Sequence, residues 1–253
     1  MRVIVRKPLR RRHNNIERFL MINKKISVLF CLLFLAALQL AATNQPERLS
    51  GNAVWSEDFN RPQKNGLPEK WKEEGTKIGV PATVCRVKNS ENISRLEIVC
   101  DKSTGGIIIP MRNIDLKKTP VMRWRWRVLN YPAGADGRNP EKDDQPIGIY
   151  VGTNAGLFKK KSIAYRWETL TPKGFEGSAT YAGILSVHYI VMQNDQVPAG
   201  TWITEERNIA EDFKRIYGSV PDKFAISVIG NSQYTSSNTI AELDFIEFIP
   251  GKK

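Results

Sequence analysis

The stretch MRWRWRV, residues 122–128, alternates three arginines with large apolar side chains. In a β-strand successive side chains point to opposite faces, so Trp124 and Trp126 share one face and Arg125 and Arg127 the other. A nucleic-acid site would instead need aromatic and cationic groups side by side on one exposed surface. The alternation therefore predicts a half-buried strand whose indoles enter the core, and it argues against a nucleic-acid partner.

The net charge is concentrated at the amino terminus. The chain has 253 residues and a formal charge of +12, from 38 basic and 26 acidic residues. Residues 1–42 hold nine of the basic residues and one of the acidic residues, which leaves the remainder near +4. A small excess over such a length is ordinary for a soluble domain, so the overall charge does not indicate a polyanionic partner.

Residues 21–42 have the three parts of a secretory signal peptide. Lysines precede an apolar run of 13 residues, 26–38, and the small residues Ala41 and Ala42 follow. A membrane span needs ~20 apolar residues, so we expect export to the periplasm or the medium, with cleavage of the leader. The alternative is an uncleaved anchor. Residues 1–20 are interpreted as an upstream basic extension or an overcalled start, or alternatively as a basic cytoplasmic arm.

The chain from residue 53 to residue 250 is predicted to be one all-β domain. Short β-branched and aromatic runs recur between Gly-, Pro- and Asn-rich loops, which is typical of an antiparallel β-sandwich of jelly-roll type. Residues 43–52 form a polar linker ahead of it. One short helix is predicted at about 208–218, because Asn208 suits an N-cap and Gly218 suits the position after the last turn.

Two cysteines, Cys85 and Cys100, follow the leader, and they flank a turn-rich segment between two strand-like runs. An even number of cysteines in an exported protein favours a disulfide. If the runs pair with Cys85 opposite Cys100, the two thiols share one face of a hairpin. The alternative is a pair of buried free thiols.

Several stretches together resemble a known family. They are EDFNRPQKNGLPEKW, VMRWRWRV, DDQPIGIYV, SIAYRWE, GTWITEERNIAEDFKRIYG and IAELDFIEF, and they cover nearly the whole chain after the leader. The chain resembles a bacterial family of exported proteins, the domain of unknown function 3047. The resemblance implies the fold and export but no activity. The last strand is also similar, more weakly, to the closing strand of carbohydrate-binding jelly rolls.

Strand alternation predicts a polar face opposite the core face. If the strands that carry them are neighbours in one sheet, that face holds the candidate ligand-binding residues Arg125, Arg127, Tyr150, Arg166, Glu168 and His188, together with Arg123 and Ser186. The prediction assumes that Val187 and Tyr189 face the core. Planar hydrogen-bond donors beside an aromatic ring suit a sugar, especially an acidic one. The alternative is a solvated face with salt bridges.

Carboxylates supply the candidates for catalysis and for a metal. A glycosidase needs two acids across a cleft, and Glu168, Asp143 and Asp144 are the candidates, although adjacent strand residues point apart. The alternative is that Asp143 and Asp144 cap a loop or bind Ca²⁺. Asp58, Asp143, Asp144 and Asp244 are candidate ligands of a structural Ca²⁺ ion. No cofactor is expected.

The leading hypothesis is an exported protein that binds a glycan or another envelope polymer without catalysis. One alternative is a glycoside hydrolase or lyase that uses Glu168 with an acid from the 133–146 loop. Another is a structural envelope protein without a small ligand.

Overall fold

The computed structural model describes residues 49–90, 93–154, 160–181 and 185–251. The leader, the extension before it and most of the linker lie outside the described residues. The described strands form two packed sheets, which confirms the predicted β-sandwich of jelly-roll type. Within these residues, no helix combines the length and the apolar character that a membrane crossing needs.

The first layer, sheet I, contains six strands numbered along the chain: β1 (Trp55–Glu57), β3 (Val84–Ser90), β4 (Ile93–Asp101), β6 (Val121–Asn130), β11 (Ile203–Asn208) and β13 (Asn238–Ile249). Their order is β11-β6-β13-β4-β3, and β1 also pairs with β13. All pairs in this sheet are antiparallel. The strand that carries the tryptophan–arginine alternation, β6, is therefore paired on both sides.

The second layer, sheet II, contains seven strands: β2 (Lys72–Glu74), β5 (Thr104–Met111), β7 (Gln145–Asn154), β8 (Lys160–Trp167), β9 (Glu176–Tyr181), β10 (Leu185–Gln193) and β12 (Phe224–Asn231). Their order is β2-β5-β12-β7-β8-β10-β9. β8 and β10 run parallel, which departs from the purely antiparallel prediction.

An aromatic layer joins the two sheets. Trp124 and Trp126 on β6 are fully buried, as the alternation predicts. The ring of Trp124 lies 5.5 Å from that of Tyr165, and the ring of Trp126 lies 5.5 Å from that of Trp167, both on β8. Offset and edge-on aromatic pairs at such separations stabilise beyond the area that they bury. β6 and β8 thus face each other across the core.

The predicted helix is confirmed as α1 (Ile209–Tyr217). The Asn208 side chain accepts a hydrogen bond from the backbone N–H of Glu211, which satisfies one of the donors that a helix start leaves open. Gly218 ends the helix with a φ of 80°, in the left-handed region that glycine occupies without steric cost. Ile209 and Phe213 pack into the core.

The predicted pairing of Cys85 with Cys100 is wrong. Cys85 lies opposite Ile98, and the hydroxyl of Thr83 lies 3.4 Å from the Cys100 sulfur. The two cysteines share a face but are diagonal neighbours, which typically lie ~7–8 Å apart. A disulfide needs Cα atoms within about 4.4–6.8 Å, and both thiols are free and buried. Burial raises the pKa of Cys100 to about 11.

We predict that Trp126→Ala lowers the free energy of unfolding by about 3–5 kcal/mol, because it removes a ring that contacts both sheets. Urea unfolding followed by circular dichroism measures this change. The control is Ile78→Ala, whose side chain is 102% exposed and whose loss changes stability by about 0.5 kcal/mol or less. Equal losses in the two variants would contradict the assigned aromatic layer.

Candidate functional site

The arginines of β6 form a ladder of ion pairs on the outer face of sheet I. Each pairs with a carboxylate of β13: Arg123 Nη1 with Glu247 Oε1 at 2.6 Å, Arg125 Nη1 with Asp244 Oδ2 at 3.0 Å, and Arg127 Nε with Glu242 Oε2 at 2.7 Å. A bulge in β13 near Asp244 brings that side chain toward Arg125. The ladder ties the two central strands of the sheet together.

Trp202 covers two of the three arginines of this ladder, and Arg123 lies instead over the Phe245 ring. The guanidinium carbons of Arg125 and Arg127 lie 5.0 Å and 4.5 Å from the centre of its ring, and that of Arg95 lies 5.7 Å away. Arg125 and Trp202 are both buried. A stacked indole over paired guanidiniums leaves little of them for a ligand, so this face serves the structure.

The predicted single polar face is therefore wrong. Because β6 and β8 lie in opposite sheets, Arg125 and Arg127 are on one outer surface and Tyr150, Arg166 and Glu168 are on the other. Strand alternation assigned each side chain to the correct side of its own strand in β6, β7 and β8. The error was the assumption that these strands are neighbours in one sheet.

The outer face of sheet II carries a compact polar cluster around Arg166, which we call the Arg166 cluster: Asp143, Gln145, Tyr150, Arg166, Glu168 and Tyr189. Arg166 Nη2 donates to Asp143 Oδ1 and to Gln145 Oε1, both at 2.6 Å. Arg166 Nε lies 2.7 Å from Glu168 Oε1. Gln145 Nε2 in turn donates to the Tyr150 hydroxyl at 2.9 Å.

A β-bulge explains why Gln145 belongs to this cluster. The register between β7 and β12 shifts between Ile229 and Asn231, so that Asn231 lies opposite Gln145. The extra residue moves Gln145 to the outer face, whereas simple alternation with Ile147 would place it in the core. Sequence reasoning missed Gln145 because nothing in the residue pattern marks this bulge.

Glu168 is a buried carboxyl held by the loop before β7. It is fully buried, lies beside Arg166, and accepts a hydrogen bond from the Thr171 hydroxyl at 3.2 Å. A side-chain carbon at Gly137 would lie 3.1 Å from both carboxylate oxygens, so the loop fits closely over the group. Burial raises the pKa of Glu168 to about 7 and Asp143 adds to the rise, although Arg166 opposes it.

Tyr189 closes the other side of Arg166. Its ring centre lies 4.8 Å from the guanidinium carbon, and its hydroxyl donates to the Gly137 carbonyl at 2.9 Å. The prediction that Val187 and Tyr189 face the inter-sheet core is wrong. They pack with Ala164 and Val191 in a separate apolar cluster on the outer face, and Ile190 and Met192 enter the main core instead.

His188 lies away from the Arg166 cluster, because its side chain is on the face of β10 opposite to that of Tyr189. Its Nε2 is 2.8 Å from Glu176 Oε2, and its Nδ1 is 3.1 Å from the Ser178 hydroxyl. Arg215 of α1 pairs with the same Glu176 carboxylate at 2.8 Å. His188 therefore helps to fasten the edge strand β9 near the helix and is corrected from a ligand-binding to a structural position.

Asp143 and Asp144 point apart, as expected of adjacent residues. Asp144 is fully buried and accepts hydrogen bonds from the Tyr234 and Thr235 backbone N–H groups, at 3.2 Å and 2.6 Å, and from the Thr235 hydroxyl. It thus fixes the loop between β12 and β13. That loop presents Tyr234, whose side chain is 41% exposed and whose pKa is raised by burial and by nearby Asp143 and Asp144.

The four candidate calcium ligands are not brought together. Asp244 pairs with Arg125, Asp143 with Arg166, Asp144 holds the loop, and Asp58 accepts from Asn60. Across the ranges that the structure describes, no three His, Cys, Asp or Glu side chains are grouped as a metal ion would require. The prediction that these four aspartates form a Ca²⁺ site is therefore wrong, because each makes a separate polar contact.

Small residues surround the Arg166 cluster on the same face. Tyr150 lies opposite Ala164 on β8 and opposite Ser227 on β12, and Gly152 lies opposite Ser162. A side chain at Gly148 would meet the Tyr150 ring at 2.8 Å. The strands thus carry small side chains beside the cluster, and Asp143, Tyr150 and Tyr234 are at least partly exposed.

A family model described as "Protein of unknown function (DUF3047)" matches residues 69–247. Comparison with curated proteins gives no match.

Three solved structures show the level of structural likeness. The family 11 carbohydrate-binding module of cellulase Lic26A-Cel5E of Clostridium thermocellum is 10% identical, with a TM-score of 0.42 over 82% of this chain and 98% of that chain. Endoglucanase 3 of Trichoderma harzianum, from family GH12, is 9% identical, with a TM-score of 0.39 over 81% of this chain and 100% of that chain. A family 12 xyloglucanase of Bacillus licheniformis is 11% identical, with a TM-score of 0.38 over 77% of this chain and 98% of that chain. Likeness this remote does not bear on activity.

We predict that Glu168 makes stability depend on pH. Its pKa of about 7 exceeds the ordinary value of 4.5, so the folded protein retains a proton that the unfolded chain releases. The resulting stabilisation is complete below about pH 4.5 and is lost as the pH rises through about 7. Relative to Glu168→Gln, the free energy of unfolding of the parent should fall by about 3 kcal/mol across that range.

Urea unfolding of the parent and Glu168→Gln from pH 4 to pH 8 measures the difference directly. Taking the difference between the two proteins removes the contributions of the other buried acids, such as Glu57 and Asp244, whose pKa values burial also raises. A difference that stays constant with pH would contradict a buried, proton-binding Glu168.

Proposed function

Because the chain belongs to the DUF3047 family, whose description names no activity, we propose from its own residues that this protein binds a neutral glycan without catalysis, on the outer face of sheet II. The observation that carries the proposal is the Arg166 cluster, a charge-compensated hydrogen-bonding group in which Asp143 and Tyr150 are partly exposed. Ligand sites commonly fix the orientation of a ligand with a few placed polar groups beside aromatic rings.

The compensation of charge selects the kind of glycan. The Arg166 guanidinium contacts both Asp143 and Glu168, so its positive charge already has acidic partners. An acidic sugar would have to compete with these carboxylates at close range. Neutral hydroxyl groups can instead donate to the Asp143 carboxylate and exchange hydrogen bonds with the hydroxyl of exposed Tyr234, since the Tyr150 hydroxyl is buried against Gln145. The proposal therefore replaces the acidic sugar expected from the arginine-rich sequence with a neutral one.

The residues divide into two roles. Asp143, Tyr150 and Tyr234 reach solvent and would contact the glycan, and the tyrosine rings would cover its apolar faces. Arg166 is 1% exposed and lies beneath them, so it acts as a positioning residue. Its bonds to Asp143 and Gln145 fix the carboxylate and, through the amide, the Tyr150 hydroxyl. Such fixed polar groups lower the entropy lost on binding.

An enzyme is the second candidate, because Glu168 has a pKa of about 7, near the value that suits a general acid at neutral pH. Asp143 provides the second carboxyl, since both acids contact Arg166. Glu168 is fully buried, however, so a substrate would reach it after the 131–144 loop had moved. Binding without catalysis requires no such movement.

We predict that Tyr234→Ala weakens binding of the preferred neutral glycan about tenfold, because it removes an exposed aromatic platform. A glycan array with the protein after the leader identifies the ligand, and calorimetry measures the affinity. The matched control is Leu129→Ala on sheet I, whose side chain is 36% exposed against 41% for Tyr234. Affinity should also change little between low and high salt, because the ligand is uncharged.

Absence of binding to any neutral glycan, or equal effects of Tyr234→Ala and Leu129→Ala, would contradict the proposal. Release of new reducing ends from a bound glycan, lost in Glu168→Gln, would instead establish the hydrolase. Neither Tyr234→Ala nor Leu129→Ala changes the aromatic layer between the sheets, so both variants should fold. Circular dichroism checks this.

We also propose that the chain is exported and that the leader is removed. The basic start, the short apolar run and the small residues at positions 41 and 42 support this. Expression of the full chain in a Gram-negative host should yield a periplasmic product whose amino terminus lies just after Ala42, as measured by intact mass. A full-length product that stays in the membrane fraction would contradict cleavage.

A further inference from the structure

A concave feature lies away from the Arg166 cluster, between the edges of the two sheets. It is a groove of about 440 Å³ bordered by β1, β2 and the end of β5. Trp55, Ile109, Met111 and Ile114 form an apolar wall, and Ile109, Met111 and Ile114 are buried. Pockets of this size and composition are typical of small-molecule sites.

Three cations border this groove: Lys70, Lys72 and Arg112. The residues that line it include no acid. Of the ion pairs formed among the described residues, none involves these three side chains, whereas most other arginines of the domain pair with carboxylates. Three cations beside an apolar wall, without a carboxylate partner, make the groove complementary to an anion that also has an apolar body.

The backbone at Lys70 gives an independent reason to assign it a role. Lys70 has a φ of 68°, in the left-handed region, within a turn closed by a hydrogen bond from the Trp71 N–H to the Pro68 carbonyl. Glycine is favoured at the corresponding position of turns that need a positive φ. A lysine there costs stability, and its side chain lines the groove.

We propose that this groove binds a single-chain amphiphilic anion, with its apolar chain against Trp55 and Met111 and its carboxylate or phosphate group among Lys70, Lys72 and Arg112. This site is separate from the glycan site, since β5 and β12 lie between β2 and β7 in sheet II. Its ligand is charged, so salt should weaken binding at this site and leave binding of the neutral glycan nearly unchanged.

Octanoate, octan-1-ol and inorganic phosphate are the probes. Octanol keeps the chain and removes the charge, and phosphate keeps a charge and removes the chain. Octanoate should bind at least about tenfold more tightly than either, and its affinity should fall as ionic strength rises from about 0.01 M to 1 M. Calorimetry gives the affinities, and NMR shifts of the Met111 methyl group locate the ligand.

Lys70→Gly tests the cation without loss of folding, because glycine suits the positive φ. Lys102→Gly is the matched control: Lys102 is exposed, has a φ of 49°, and lies outside the groove. Both variants should keep or raise the melting temperature. Lys70→Gly combined with Arg112→Gln should weaken octanoate binding about tenfold, whereas Lys102→Gly should leave it unchanged.

Equal affinity for octanol or phosphate would overturn the proposal, as would equal octanoate binding by the double variant and the control. A failure of octanoate to bind would overturn this proposal as well, but it leaves the glycan test intact, since that test uses Tyr234 and an uncharged ligand. The two proposals therefore fail separately.

Discussion

The contact of β6 with β8 across the core is the constraint on which the surface chemistry depends. Trp126 packs on Trp167, and Trp124 packs on Tyr165. Because side chains alternate along a strand, the arginines between these rings must point away from the contact, and they do so in opposite directions. Arg125 and Arg166 therefore emerge on the two outer surfaces of the sandwich.

The arginines on the two outer surfaces have different partners. On sheet I, each arginine of β6 meets a carboxylate of β13, and Trp202 stacks over Arg125 and Arg127. On sheet II, Arg166 contacts two carboxylates and one side-chain amide, and it lies under the ring of Tyr189. Paired and buried charges are costly to separate, so both sets fix side chains in place. At the Arg166 cluster, the Asp143 carboxylate so fixed is partly exposed to solvent.

Local patterns predicted much of this fold. Alternation placed the indoles inside, and the capping residues Asn208 and Gly218 located the helix. What local patterns do not contain is the partner of each strand. The split of the arginines between two sheets and the offset of Cys85 from Cys100 both depend on strand order and register, which are set by contacts between distant segments.

The candidate site could be predicted only in part, because its assembly also depends on contacts between distant segments. Strand alternation predicts Tyr150, Arg166 and Glu168, and the search for a carboxylate pair adds Asp143; the structure brings these residues together. Gln145 was missed because a bulge reverses its face, and Tyr234 because it belongs to a loop that Asp144 holds from a distance in sequence.

A titration of the ¹⁵N-labelled protein with the glycan that it binds tests the central claim most directly. We predict that the amide shifts change at residues 143–150, 166–171 and 231–237, with the Trp202 indole unaffected. Changes confined to the Trp202 and β6 surface would contradict it.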